Sequence, residues 1–428
     1  MIVLLLCYDI LFLVGLVLYL PRALRRKKIN SASLKQKLGS IGIGQQKPSI
    51  WIQVVSVGEV NVIGKFLQHV RERFPHTIVI STTTLTGNKL AKEKYGAFAK
   101  VIFFPFDISC VIRRVIALVK PALFIAVETE IWPNLYFQLS RRKVPILILN
   151  GRISKKAFAR YTRIRGIMKR VLRLCAYVAV QNQDYKEKFL ALGMPEDKIV
   201  VSGNMKFESI YIDPEKSKRV KEKYAQVFKP GGSMLVVAGS THPGEEEYLL
   251  EAYKTLMAEG LSLILAIAPR HIERAESIEK LVVQSGFRPV RLSAPGKQDS
   301  ASWPVYILDT IGELFYLYDI ADICFVGGTL AAYGGHNILE PIFFSKPTLF
   351  GPFMDNFEDI KEAILNARAG VQVKDARELK TALRALITDK AHRESIAKRC
   401  AEVFSNENKG LAENIGLIAH CLEGSPEA

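Results

Sequence analysis

The chain opens with twenty almost unbroken apolar residues, MIVLLLCYDILFLVGLVLYL, and then alternates short apolar runs with longer stretches of helical periodicity. Short apolar runs separated by helices read as parallel strands joined by crossovers and covered on both faces. The first series predicts strands at Ile50–Val57, Thr77–Ser81, Lys100–Phe106, Leu123–Val127, Val144–Asn150, Tyr177–Gln181 and Ile199–Ser202. A polar stretch rich in Lys, Glu and Gly follows at Asp213–Gly232. The second series predicts strands near Met234–Ala238, Ser262–Ala268, Val305–Leu308, Ile323–Val326, Pro347–Phe350 and Gly370–Val373. The expected class is α/β, with two Rossmann-like parallel-sheet domains whose strand ends face a common cleft, where ligands of such sheets sit. The expected bounds are 1–28 for an anchor and its basic flank, 29–212 for the first domain, 213–232 for a linker and 233–428 for the second domain.

The first twenty residues have the length of a bilayer span, and Asp9 is their one charge. Arg22, Arg25, Arg26, Lys27 and Lys28 follow the apolar run, whereas a secretory signal would carry its cations before it. The reading is therefore an uncleaved membrane anchor, with the rest of the chain on the cytoplasmic side by the positive-inside bias. Asp9 leaves open a helix that lies in, or only partly crosses, the inner leaflet.

Composition adds a globular class, since 49% hydrophobic and 24% charged residues exclude disorder and collagen-like repeats. Charge divides the chain: residues 1–204 carry a net +22 and residues 205–428 a net −5. From Ile131 to Gln183 there are twelve Lys or Arg and no acid. Such a basic half expects an anionic partner, and the anchor makes anionic lipid head groups the economical one. Nucleic acid is disfavoured because basic and aromatic residues are not interleaved. Six singly placed cysteines and seven histidines without ligand spacing give no metal or redox motif.

The loops after the strands carry the candidate chemistry. Glu59 follows an apolar strand and Gly58, where it is either a helix cap or a general base at the cleft edge. Glu128 and Glu130, two residues apart after the fourth strand, are costly there unless they bind something. In the second half, Pro269-Arg270-His271 ends a strand with a cation, and Asp309-Thr310-Ile311-Gly312-Glu313 forms a tight turn before a helix. The segment from Val326 to Pro341 sets two Gly-Gly pairs, at 327–328 and 334–335, around a helix start near Asn337. That arrangement is expected to offer free amides and a helix dipole to a phosphate, with Glu340 accepting from ribose hydroxyls.

The series SVGE, TTTLTG, ETEIWPN, NGRIS, GNMKF, AGSTHPGEE, PRH, DTIGEL and GGHNILEP, in this order behind an apolar amino-terminal segment, closely resembles the Kdo transferases of lipopolysaccharide biosynthesis. The resemblance covers about residues 48–360. It implies the GT-B architecture and an inner-membrane enzyme that needs no metal or cofactor. Its reaction would be inverting transfer of 3-deoxy-D-manno-octulosonic acid (Kdo) from CMP-Kdo to a lipid A precursor. By motif, Glu59 would take the acceptor proton, and Glu130 and Lys206 would stabilise the transition state. Pro269, Arg270, Ile311, Gly312, Glu313, Asn337, Ile338, Leu339 and Glu340 would contact CMP. The sequence departs from the family pattern at Gln53, where a His is expected before SVGE, and Gly151 and Met205 occupy variable motif positions. The alternatives are another membrane-associated GT-B glycosyltransferase with a different nucleotide sugar, and a non-catalytic lipid- or nucleotide-binding protein.

Overall fold

The structure, a computed structural model, describes residues 2–25, 29–43, 47–208, 210, 212–225, 227–228, 232–294, 303–407 and 409–423. Arg26, Lys27 and Lys28 of the expected basic flank, residues 226 and 229–231 of the expected linker, and residues 424–428 of the expected second domain lie outside the described residues. Two compact units form, Met1–Ser209 with Glu407–Ala428, and Ile210–Asn406.

The first unit is built on seven parallel strands: β1 (Ser49–Val54), β2 (Thr77–Thr82), β3 (Ala99–Phe103), β4 (Pro121–Val127), β5 (Ile146–Gly151), β6 (Tyr177–Val180) and β7 (Ile199–Val201). Their order is β3-β2-β1-β4-β5-β6-β7, so the chain reverses its direction of sheet growth between β1 and β4. Side chains alternate along each strand and supply two cores. Trp51, Phe124, Ala126 and Ile148 fill one face. Ile50, Ile52, Ile125 and Leu149 fill the other. Both faces are covered, which is why β1 is buried at every position and carries no polar side chain except Ser49 and Gln53. Gln53 Nε2 donates to Thr83 Oγ1 (3.2 Å) and Gln53 Oε1 accepts from Ser81 Oγ (2.5 Å), so this departure from the family pattern is a satisfied buried amide.

The second unit has β8 (Met234–Thr241), β9 (Leu263–Pro269), β10 (Arg288–Arg291), β11 (Pro304–Ile307), β12 (Ile323–Val326), β13 (Thr348–Phe350) and β14 (Val371–Gln372). The order is β10-β11-β9-β8-β12-β13-β14, all parallel, with the reversal between β8 and β12. Two doubly wound parallel sheets in one chain make the GT-B-like α/β fold that was expected.

Four details differ from the sequence reading. The first strand stops at Val54 because Ser56 turns extended and starts the helix Val57–Val62. β10, Arg-Pro-Val-Arg, was not foreseen; it is a sheet-edge strand whose Pro and flanking arginines hide any apolar run. The polar stretch expected as linker contains the helix Pro214–Ala225, whose Val220 and Tyr224, one turn apart, are buried against the helix Leu314–Ile320. The carboxyl-terminal helix Lys409–Glu423, expected in the second domain, belongs to the first. Its Leu411, Ile415, Ile418 and Cys421 complete the core around Ile50 and Ile52. An amphipathic stripe shows that a helix is covered, not by which sheet.

The helix Ile2–Arg25 contains one segment, Leu5–Ala23, long and apolar enough to cross a membrane. Phe12 and Leu16 pack on the core of the first unit, while Leu6, Ile10, Leu11, Val14, Val17 and Leu18 are exposed. Asp9 is not an unmet charge in this segment: its Oδ1 accepts from Asn134 Nδ2 (2.7 Å) and from the Ser109 amide (3.1 Å).

Candidate active site

In an open parallel sheet the crevice lies at the carboxyl ends of the strands where the order reverses. In the first unit those strands are β1 and β4, and the loops after them carry Glu59 and Glu130. Glu59 is the third residue of the helix Val57–Val62, and its Oε2 accepts from the Val55 amide at 2.6 Å. This resembles half of a capping box, with the carboxylate reaching back past the Ser56 cap, whose own side chain makes no cap bond. The cap engages one carboxylate oxygen, and the other has no hydrogen-bond partner among the described residues.

Desolvation, reinforced by the charges of Glu128 and Glu130 and opposed by the Val55 bond and Arg152, raises the Glu59 pKa to about 8. Glu130 is raised to about 7 by desolvation and Glu128, against the Trp132 bond. Trp132 Nε1 donates to Glu130 Oε2 (3.1 Å), and Tyr136 Oη donates to the Glu130 carbonyl (2.8 Å).

The turn that presents Glu130 is strained: Glu128 has φ 62°, a left-handed conformation unusual for a non-glycine residue. Two clamps hold it. Glu128 pairs with Arg152 Nε at 2.9 Å, and Thr129 Oγ1 and the Arg152 backbone bond each other in both directions. The ETE and NGRIS motifs are thus one structure spanning the ends of β4 and β5. Asn150 joins a third, since its Oδ1 accepts from the Met205 amide (3.1 Å). Lys206 lies in the short helix Met205–Glu208, which packs against the helix of Glu59. All three residues singled out in the first half therefore lie on loops and helices gathered at one end of one sheet.

In the second unit the reversal lies between β8 and β12, and Arg270, His242, His336 and Glu340 gather there. Arg270 follows Pro269 at the end of β9, its amide donating to the Thr241 carbonyl (3.1 Å). His242 and His336 stack with their Nε2 atoms 2.8 Å apart, and Tyr333 stacks on His242 at 4.0 Å. Desolvation, with His242, Arg270 and His271 alongside, lowers the His336 pKa to about 4. Glu340 is raised to about 7 by desolvation despite Asn337 Nδ2 (3.3 Å) and Arg270.

Three predicted features take a different form. The amides after the first Gly-Gly pair are not free. The buried Glu245 carboxylate accepts from the amides of Gly328 (2.7 Å), Thr329 (2.9 Å), Leu330 (2.9 Å), Ala331 (3.4 Å) and His242 (3.0 Å). Gly327 is required for this approach, as a Cβ there would lie 2.6 Å from the Ser240 carbonyl oxygen. The helix after the second pair is only Leu339–Phe343, too short for a substantial dipole, and Ile338 and Leu339 bury their side chains in the core. Glu313 turns its carboxylate to Lys223 Nζ (2.9 Å), Thr310 Oγ1 (2.6 Å) and Tyr224 Oη, so its side chain braces the turn while Ile311 stands 81% exposed. Glu245, His242, Tyr333 and His336 lie in segments that the sequence reading marked, AGSTHPGEE and Val326–Pro341, but it gave none of the four an individual role and did not foresee the stack or the Glu245 cradle. Among the described residues, no three His, Cys, Asp or Glu side chains converge as metal ligands.

Residues 32–209 match the family described as 3-Deoxy-D-manno-octulosonic-acid transferase (kdotransferase). The chain is 30% identical over 394 residues to the 3-deoxy-D-manno-octulosonic acid transferase of Haemophilus influenzae, covering 91% of each chain. It is 33% identical over 417 residues to a bifunctional glycosyltransferase/methyltransferase of Fusobacterium nucleatum, covering 95% of this chain but spanning only 62% of that relative's length. Among solved structures, a glycosyltransferase from Rickettsia africae shares the fold with a TM-score of 0.54 at 17% identity, covering 89% of this chain and 100% of that one.

Proposed function

The chain belongs to the 3-deoxy-D-manno-octulosonic acid (Kdo) transferase family, and from that premise we propose that it moves Kdo from CMP-Kdo onto a lipid A precursor at the cytoplasmic face of the bacterial inner membrane. The observation that carries the mechanism is Glu59, a carboxylate at the β1–β4 reversal with its pKa raised to about 8. An ordinary carboxylate is a weak base for a sugar hydroxyl, whereas one poised near neutral pH couples adequate basicity to a usable ionised fraction.

Glu59 takes the proton from the acceptor hydroxyl as its oxygen attacks the anomeric carbon of Kdo. The bond from that carbon to the CMP phosphate oxygen breaks on the opposite face, inverting the centre, and CMP leaves with the bonding electrons. No metal or cofactor enters this displacement. Glu130 stabilises the positive charge that develops on the sugar, and Lys206 faces the negative charge of the Kdo carboxylate or of the phosphate. Arg270, beside the neutral histidine pair, meets the phosphate of departing CMP. Pro269, Ile311, Gly312 and Asn337 to Leu339 contribute backbone and turn shape to the nucleotide site. Glu340 faces the ribose, and Glu313 holds the Ile311-Gly312 turn.

The membrane location draws on the apolar helix and on the basic helix Lys155–Arg163, which buries no residue and offers Lys155, Lys156, Arg160 and Arg163 to anionic lipid. The test is transfer from CMP-Kdo generated in situ to a tetraacylated lipid A precursor, with products weighed by mass spectrometry. Kdo addition by wild type that collapses in Glu59→Gln supports the reading. A panel of nucleotide sugars in which another nucleotide is released would replace the donor with that sugar.

A further inference from the structure

A groove of about 740 Å³ runs beside the helix Ile2–Arg25 on the first unit. That volume is typical of sites that enclose a small organic ligand, about 300–1,000 Å³. Phe12, Gly15 and Leu16 of the helix form one wall, and Phe104 and Phe106 stand in the lining with them. The surrounding medium is set by the helix itself, whose exposed residues Ile10, Leu11, Val14 and Leu18 call for hydrocarbon.

Polar groups interrupt the apolar lining at Tyr19, Lys37, Thr83, Thr84, Thr86 and Trp132. Lys37 is only 6% exposed, and its Nζ donates to the Thr83 carbonyl at 3.0 Å while lying 5.8 Å from the Phe106 ring. Two of its three N–H donors have no partner among the described residues. A cation this deeply placed beside an apolar groove suits the anionic or polar head of an amphiphile. The groove also adjoins the carboxylates. Trp132 donates to Glu130, and Thr84, another lining residue, bonds the carbonyl of Val55, whose amide holds Glu59.

We propose that this groove holds one acyl chain of the acceptor lipid, with the head at Lys37 and the sugar hydroxyl presented to Glu59. The proposal rests on the acceptor reading above and adds to it a chain-binding subsite half built from the anchor helix. An acceptor chain fits better than a bulk phospholipid because the two hydrogen-bond paths run from the groove to both carboxylates. Anchor and acceptor would then meet in one structure: the helix that holds the enzyme in the membrane also selects the lipid it modifies.

The test uses the full chain in phospholipid nanodiscs and a tetraacylated acceptor carrying a diazirine at the end of one acyl chain. Irradiation is expected to label Phe12, Gly15, Leu16, Phe104 or Phe106, with labelling suppressed by excess unlabelled acceptor. Label confined to Ile10, Leu11, Val14 or Leu18, or label that excess acceptor leaves unchanged, overturns the proposal. A second readout uses Gly15→Phe, since a Cβ at Gly15 meets open space. Wild type should prefer the acylated over the deacylated acceptor by about tenfold or more in kcat/KM, as expected when buried methylenes are lost, and Gly15→Phe should erase most of that preference. An unchanged preference also overturns it. Wild type that transfers Kdo to neither acceptor sinks the functional reading instead, and photolabelling then decides the groove alone.

Discussion

The Val55 amide holds Glu59 Oε2 at 2.6 Å, a bond that favours the charged carboxylate, yet desolvation and two neighbouring carboxylates outweigh it. With a pKa of about 8, Glu59 is mostly protonated at neutral pH and must lose that proton to act as a base. The expected kcat/KM profile therefore rises with pH and levels above about 8. Glu59→Gln should lower transfer by about two or more orders of magnitude. A flat profile from pH 6 to 9 would remove Glu59 from the base role.

Arg152 opposes the rise in the Glu59 pKa and clamps the strained Glu128 turn at 2.9 Å. Removing its charge in Arg152→Ala should move the rising limb to higher pH and lower kcat at neutral pH. Arg152→Lys restores a cation but not the forked donor geometry, so it should recover the limb position more than the rate. Pre-steady-state rates measured across pH separate the two effects.

The strands, their order of appearance and the motif loops were legible because parallel sheets demand continuous apolar runs and because ligand sites follow those runs. Glu59, Glu130 and Arg270 could be picked out by position: Arg270 directly follows a strand, and Glu59 and Glu130 lie within five residues of a strand's end. Glu245 could not. Its five amide donors come from segments more than eighty residues away as well as from its own turn, and no local pattern encodes that convergence. The carboxyl-terminal helix was misassigned for the same reason, since its partner sheet is hundreds of residues distant. The first Gly-Gly pair looked like a phosphate cradle, and the structure shows the protein's own carboxylate in that cradle.

Glu245→Ala would leave several buried amides without an acceptor. Each unmet buried donor costs about 1–3 kcal/mol, and partial collapse of the loop recovers some of it, so the net loss of stability should be about 3 kcal/mol or more. Chemical denaturation of the full chain, followed by hydrogen exchange in peptides spanning 326–336, should show the loss in the second unit. The same variant should weaken CMP binding by calorimetry, because the loop that carries His336 and leads to Asn337 is set by this carboxylate. Unaltered exchange in those peptides would mean the loop is held by other contacts.

His336 is kept neutral, with its pKa lowered to about 4 from an ordinary 6.5. Between those values the unfolded chain binds more protons than the folded one, so this residue's contribution is present above about 6.5 and lost as pH falls through 4. The expected loss is no more than about 3 kcal/mol, reduced by the partial exposure of the ring. His336→Phe should flatten the stability curve between pH 6.5 and 4, and an unchanged slope would place the acid sensitivity elsewhere.

Asp9 ties the apolar helix to the first unit through Asn134 and Ser109, and Asn134 is in turn held by the buried Asp107. The Asp107 carboxylate accepts from the amides of Asn134 (3.1 Å) and Leu135 (2.9 Å), and its carbonyl accepts from Asn134 Nδ2 (2.6 Å). Hydrogen bonds to a charged acceptor are worth about 1.5–3 kcal/mol each when partly buried. Asp9→Ala should therefore loosen the docking of the helix while leaving the proposed membrane association intact, since every apolar residue of the segment remains. The expected signature is amide exchange at Ser109 faster by about tenfold or more, with unchanged recovery in the membrane fraction. If the helix were a passive anchor, exchange at Ser109 would not respond. If Asp9 instead governed insertion, the membrane fraction would change first, so the two measurements together assign the role of Asp9.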